Sequence, residues 1–149
     1  TAEAARSRDL GLVMVGEGPL RKRLERLASQ SARIRLLGHV SDRNQVARLV
    51  ASADALVHGC EAETFGLVVA EALACGTPVV VPDRGGAFEQ LRPGAGLSYA
   101  AGDREELVRA LLRLSLAPSR CQSGAPRLME DHFRELFGFY DRFERGAVA

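Results

Sequence analysis

Short apolar runs alternate along this chain with stretches in which apolar residues recur every three or four positions, and the two periods predict strands separated by helices. Strands are expected near 11–15, 34–38, 55–58, 78–82 and 96–99, and helices near 18–30, 42–52, 65–75, 86–91, 103–115 and 127–145. Such alternation predicts an α/β fold, a Rossmann-like parallel sheet with helices on both faces. The first helix has an ordinary surface pattern, with Leu20, Leu24 and Leu27 on one stripe and Arg21, Lys22, Arg23, Glu25 and Arg26 elsewhere. Its charges form a solvated face rather than a basic binding surface.

One helix breaks this pattern. From Phe65 to Cys75 the only charged side chain is Glu71, and a helix that is apolar all round is normally buried on most of its surface. An unpaired buried carboxylate costs several kcal/mol, a large part of the ~5–15 kcal/mol that keeps a domain folded. Glu71 is therefore expected to meet a protein cation, a hydroxyl-rich ligand or water in a cleft. Thr64 suits the N-cap, which sets Glu63 at the helix mouth beside the free amides of Phe65, Gly66 and Leu67. Gly66 has no side chain, so a ligand can approach the backbone there, and a helix N-terminus attracts phosphate. Gly76 and Pro78 end the helix. The bland alternative pairs Glu71 with an arginine such as Arg84 and leaves Glu63 as a first-turn acid favoured by the helix dipole.

Open parallel sheets bind ligands outside the carboxyl ends of their strands, and the unusual residues map there. Gly16 to Pro19 follows the first strand, Gly38 to Ser41 the second, Gly59 to Phe65 the third and Asp83 to Gly86 the fourth. Gly16-x-Gly18, followed by Leu20, Arg21 and Lys22, lacks the third glycine of a dinucleotide fingerprint, which disfavours a nicotinamide or flavin enzyme. A tight turn explains this pair equally well. His39 and His58 follow or end apolar strands without an obvious base or metal partner in sequence, and structural roles suit them better. Gly85 and Gly86 open a short helix whose amides could face an anion, with Glu89 as a first-turn acid, or serve turn chemistry alone.

Composition narrows the function classes. With 149 residues and 46% hydrophobic content, the chain can bury the core of a single domain. Twenty basic and nineteen acidic residues leave a formal charge of +1, so no nucleic-acid partner is expected and binding must come from a local site. Cys60, Cys75 and Cys121 are odd in number and lack metal-ligand spacing, which fits reduced thiols in a cytoplasmic protein. No apolar run approaches the ~20 residues of a membrane span. No signal peptide is expected either.

The residues from Glu63 to Val81, with two glutamates separated by seven residues, resemble the donor-binding signature of retaining glycosyltransferases of the family 4 type (group 1), which have the GT-B fold. Gly16-Glu17-Gly18-Pro19, the run from Ile34 to Val40 ahead of a helix ending at Ala53-Asp54-Ala55, and Asp83-Arg84-Gly85-Gly86 with Glu89 resemble the same family in the same order. The resemblance covers roughly residues 9 to 115. It implies the C-terminal half of a GT-B fold: a nucleotide-sugar-binding domain over 1–117 lacking its first strand and the N-terminal acceptor domain, a loop over 118–126 and a C-terminal helix over 127–149.

By the same resemblance, Glu63 is the catalytic residue and contacts the transferred sugar, while Glu71 contacts the ribose hydroxyls. A carboxylate can accept from two adjacent hydroxyls at once. The diphosphate and donor sugar fall to Glu63, Thr64, Phe65, Gly66, Leu67 and Gly16, and the base to backbone at Val40 and Ser41. The implied reaction is hexose transfer from a nucleoside-diphosphate sugar, with no cofactor and no essential metal. Residues 1–149 alone are expected to bind donor weakly and to transfer little or nothing. A non-catalytic scaffold of the same fold and a GT-B nucleotide-sugar epimerase remain alternatives.

The chain departs from the family in several places. The arginine and lysine that usually precede this region are absent, and His58-Gly59 stands where many members have proline and serine. The stretch from Pro118 to Arg127 matches poorly, and His132, beyond the matched region, has no assigned role. Leu128, Phe133, Leu136, Phe137, Tyr140 and Phe143 recur at helical spacing, a packing face whose exposure would promote self-association. Cytoplasmic localisation follows from the resemblance and the thiols, with peripheral association at the inner face of the membrane left open.

Overall fold

The computed structural model describes residues 10–116, 121, 130–131, 133–135, 137–138 and 142. Ten elements follow one another: β1 (Leu12–Val15), α1 (Arg21–Ala28), β2 (Ile34–Gly38), α2 (Arg43–Ser52), β3 (Leu56–Val57), α3 (Leu67–Ala74), β4 (Val79–Pro82), α4 (Gly86–Glu89), β5 (Gly96–Tyr99) and α5 (Arg104–Leu114). Every one matches an element expected from periodicity, with ends differing by three residues or fewer. Asp42 and Asp103 start α2 and α5 by accepting the amides of Asn44 and Glu106, each at 2.9 Å, the capping that short acidic side chains favour.

All strand pairs are parallel, but the single expected sheet is divided. β1 pairs with β2, and β3, β4 and β5 form a second sheet in that order. β3 is only two residues long, and its ladder is spent on β4, with Leu56 opposite Val79 and Val57 opposite Val80. The first sheet turns Val13, Val15 and Leu37 outward, so only one of its faces is packed.

The core sits on the second sheet. β4 is buried at every position, as a central parallel strand with helices on both sides requires. Val79 and Val81 pack with Val69, Ala72 and Leu73 of α3 and with Ala87, whereas Val80 meets Tyr99 and Ala110 of α5 on the opposite face. Thr77, fully buried before β4, donates its hydroxyl to the Val50 carbonyl at 2.9 Å and ties α2 to the α3–β4 connection. Thr77→Val keeps the shape but removes one of the two bonds that carbonyl accepts, the other coming from the Ala53 amide at 3.1 Å, and is expected to lower unfolding free energy by ~0.5–1.5 kcal/mol. A denaturant midpoint shift at unchanged slope is the check.

At the C-terminus, the described residues of the expected last helix are helical. Phe133 and Phe137 stack there with ring centroids 6.1 Å apart and are both exposed. Leu128, His132, Leu136, Tyr140 and Phe143 lie outside the described residues, as does the expected 118–126 loop apart from Cys121. Among the described residues, no helix is long and apolar enough to cross a membrane.

Candidate functional site

The β3–α3 loop delivers Glu63 to the mouth of α3, but not as its capping was expected. Helix α3 starts at Leu67, its N-cap is Gly66 in the left-handed conformation (φ 78, ψ 48), and no side chain caps it. Thr64 is exposed and is not the cap. Gly66 is fixed by a neighbour rather than by room for a ligand: a Cβ there would lie 2.9 Å from Ala87 Cα, and its positive φ disfavours any other residue. Val69 and Ala70 both donate to the Gly66 carbonyl, which leaves Leu67 and Val68 as the first-turn donors without an intrahelical acceptor. Phe65 and Gly66 are buried, and the Phe65 carbonyl accepts the buried Gln90 side-chain amide at 3.0 Å. Of the three amides expected at the mouth, Leu67 is the one on an exposed residue.

Glu71 lies on the open face of α3, not in the core. Leu67, Glu71 and Ala74, spaced by four and three residues, are all exposed while Val69, Ala70, Ala72 and Leu73 are buried. The expectation of burial therefore fails on this face: an apolar stripe of Leu67 and Ala74 faces outward beside the acid. The arginine alternative fails too, because Arg84 pairs with Glu61 at 3.2 Å and with Asp83 at 3.6 Å. Among the described residues, Glu71 has no ion-pair partner. Both of its carboxylate oxygens are available to a ligand.

Glu63 is held from two directions. Its carbonyl accepts the Gly86 amide at 2.7 Å, and its carboxylate Oε2 lies 3.0 Å from His58 Nε2, with the two side chains 30% and 12% exposed. No directed hydrogen bond runs along that line, so the buried Nε2 faces the carboxylate oxygen without a bonded partner. This partner for His58 was missed in the sequence. The signal available was a histidine ending a strand just before Gly59, where the loop turns back over its own start. Tyr99 completes the support by donating its hydroxyl to the His58 carbonyl at 3.1 Å. Burial, and then the charge of Glu61, push that hydroxyl above its ordinary pKa.

Gly16, Val40 and Ser41 belong to a second pair of loops, at the carboxyl ends of β1 and β2. Gly16 is exposed with φ 123 and donates to the Gly38 carbonyl at 2.7 Å. Val40 is half-buried and Ser41 exposed. Glu17, which carried no expected role, ties these loops by accepting from the Arg21 guanidinium and from the His39 amide, the latter at 3.2 Å. The Arg21 hydrogen bond holds its carboxyl below the ordinary glutamate value, with the His39 amide adding to the effect. Since the folded-state value is the lower one, its stabilising contribution is present above the ordinary range and lost as pH falls through the folded-state value. Carboxyl NMR titration is expected to show Glu17 moving up toward the ordinary value in Arg21→Ala.

A hollow of about 670 Å³ lined by Gly102, Asp103, Arg104 and Glu105 is a poorer anion site, because its two carboxylates repel a diphosphate. The loops at the carboxyl ends of the strands thus carry the candidate site, with an open acid on a helix, an anchored acid at its mouth and first-turn amides between them.

The sequence pattern of the glycosyl transferases group 1 family matches residues 2–125. The chain is 44% identical over 105 residues to a GDP-mannose-dependent alpha-(1-6)-phosphatidylinositol dimannoside mannosyltransferase of Mycobacterium tuberculosis (strain ATCC 25177 / H37Ra), covering 70% of this chain and 27% of that protein. It is 33% identical over 119 residues to a GDP-mannose-dependent monoacylated alpha-(1-6)-phosphatidylinositol monomannoside mannosyltransferase of Corynebacterium glutamicum, covering 75% of this chain and 31% of that one. Among solved structures, Anabaena Alr3699/HepE in complex with UDP matches with a TM-score of 0.63 at 26% identity, over 76% of this chain and 34% of that chain. The sucrose-phosphate synthase of Thermosynechococcus elongatus matches with a TM-score of 0.63 at 31% identity, over 72% of this chain and 30% of that chain. The chain therefore spans about a third or less of the length of these proteins.

Proposed function

Because the chain belongs to the group 1 glycosyltransferase family, we propose that its loops and the open face of α3 hold a nucleoside-diphosphate sugar from which a hexose is transferred to an acceptor. Glu71 takes the ribose hydroxyls. Glu63 orients the transferred sugar, and the first-turn amides around Leu67, together with Thr64, Phe65, Gly66 and, from the β1 loop, Gly16, receive the diphosphate. Donors aimed at the leaving group spread the charge that develops as the glycosidic bond breaks, a role that calls for no metal or cofactor in this proposal. Val40 and Ser41 border the base. The observation that carries this function is Glu71 standing open and without an ion-pair partner among the described residues, on the helix whose mouth holds Glu63.

GDP-mannose is the proposed donor, on the strength of the 44% identity to a GDP-mannose-dependent relative, against 26% to the protein solved with UDP. We place residues 1–117 as the donor domain and assign acceptor binding to a preceding domain of the kind the longer relatives have room for. On this basis residues 1–149 alone bind donor but do not turn over. The relatives named for phosphatidylinositol mannosides suggest a lipid acceptor and hence a cytoplasmic protein working peripherally at the inner membrane face.

Calorimetry with GDP-mannose, UDP-glucose and ADP-glucose tests the proposal. Binding of GDP-mannose more tightly than the other two is the expected result. Absence of heat with every nucleotide sugar would instead identify a scaffold that has lost its ligand, and multiple turnover by residues 1–149 would contradict the assigned division of labour.

A further inference from the structure

Resting on the donor-binding function above, we propose that His58 is a positioning residue for Glu63, fixing the carboxylate in the orientation that meets the transferred sugar. The backbone of His58 is clamped on both sides, its amide donating to the Val80 carbonyl at 2.9 Å and its carbonyl accepting the Tyr99 hydroxyl at 3.1 Å. Val80 is fully buried and Tyr99 nearly so, so the clamp is part of the core. From this rigid base the ring reaches Glu63 Oε2 at 3.0 Å. Its Nε2 is buried and makes no directed hydrogen bond. A small rotation of the ring or of the carboxylate satisfies both groups, leaving Glu63 Oε1 for a sugar hydroxyl.

The surrounding charges leave this pair to itself. Glu61 is engaged by Arg84, and Asp83 accepts the Ala101 amide at 3.0 Å. The Glu63 main chain is independently fixed by the Gly86 amide at 2.7 Å. With the main chain pinned, the remaining freedom of Glu63 lies in its side-chain torsions, and among the described residues His58 is the group in contact with their far end. A carboxylate held before the sugar arrives does not lose that freedom on binding, which is the physical benefit of the contact.

The test compares Kd for GDP and for GDP-mannose, or for UDP and UDP-glucose should that be the pair that binds, in wild type, His58→Ala, His58→Gln, Glu63→Ala and the double variant His58→Ala/Glu63→Ala. The quantity of interest is the gain in affinity that the sugar supplies over the bare nucleotide. His58→Ala is expected to reduce that gain about tenfold, the equivalent of one charge-assisted hydrogen bond, while nucleotide affinity stays within about twofold. His58→Gln, whose amide nitrogen can donate to the same carboxylate, restores most of it. The double variant should be no worse than Glu63→Ala.

A loss shared equally by nucleotide and nucleotide sugar would show a structural role and overturn the inference, as would unchanged binding or losses that add in full in the double variant. Thermal melting of each variant separates unfolding from loss of positioning, and His58→Gln serves if the alanine variant does not fold. Nucleotide binding without any gain from the sugar would sink the role of His58 but leave the nucleotide site standing. Failure of wild type to bind any nucleotide would instead remove the donor-binding function, and this inference with it.

Discussion

Glu71→Ala is expected to weaken nucleotide-sugar binding at least about tenfold, because two hydrogen bonds to a charged acceptor contribute ~1.5–3 kcal/mol each and each ~1.4 kcal/mol is tenfold in Kd. Folding should not suffer. Glu71 is exposed and has no ion-pair partner among the described residues, surface substitutions of this kind stay within ~0.5 kcal/mol, and alanine is the stronger helix former. Electrostatics alone predicts the opposite sign. Removing a negative charge near a diphosphate relieves a repulsion of at most ~1 kcal/mol at 4 Å in water, less at greater distance and in salt. Capture of two ribose hydroxyls therefore outweighs the repulsion, and a variant that binds donor more tightly than wild type would rule it out. Glu71→Gln, which keeps one acceptor oxygen and loses the charge, should fall between the two. Titration calorimetry of both variants beside their melting curves makes the measurement.

The elements of this fold were legible in the sequence because each is signalled locally. Val79 to Pro82 is apolar throughout and becomes the central strand, and Asp42 and Asp103 sit where caps are needed and do cap. What could not be read depends on approaches between segments distant in sequence. Thr64 has the chemistry of a cap, but the turn is set by Ala87 pressing on Gly66 from more than twenty residues away, and that contact moves the helix start to Leu67. Glu71 stands out in the sequence as a buried acid, which the fold shows it is not. Its helix is apolar in composition, yet composition does not tell which stripe faces the core, and the acid lies on the open one. The His58 contact to Glu63 escaped because it depends on how tightly a loop folds back. The division of the strands into two sheets likewise escaped, because which strand edges pair is not carried by periodicity.

Gly86→Ala is expected to destabilise the domain by ~1–3 kcal/mol or more and to reduce donor binding as well. An added Cβ would lie 2.4 Å from the carbonyl carbon and oxygen of Thr64 and 2.5 Å from the Phe65 nitrogen. All three are backbone atoms, so no side-chain rotation relieves the overlap, and the β3–α3 and β4–α4 loops must part. Parting them breaks the 2.7 Å bond from the Gly86 amide to the Glu63 carbonyl and releases the main chain on which Glu63 is mounted. The two effects thus share one cause, and the fall in affinity should be larger for the nucleotide sugar than for the nucleotide alone. Gly18→Ala supplies the contrast: nothing lies within 4 Å of its added Cβ and its φ is not positive, so stability should stay within ~0.5 kcal/mol. Equal denaturation midpoints for the two variants would mean that the loops tolerate separation. Gly86 would then be an ordinary turn residue, and Glu63 would owe its placement to His58 rather than to the β4–α4 loop.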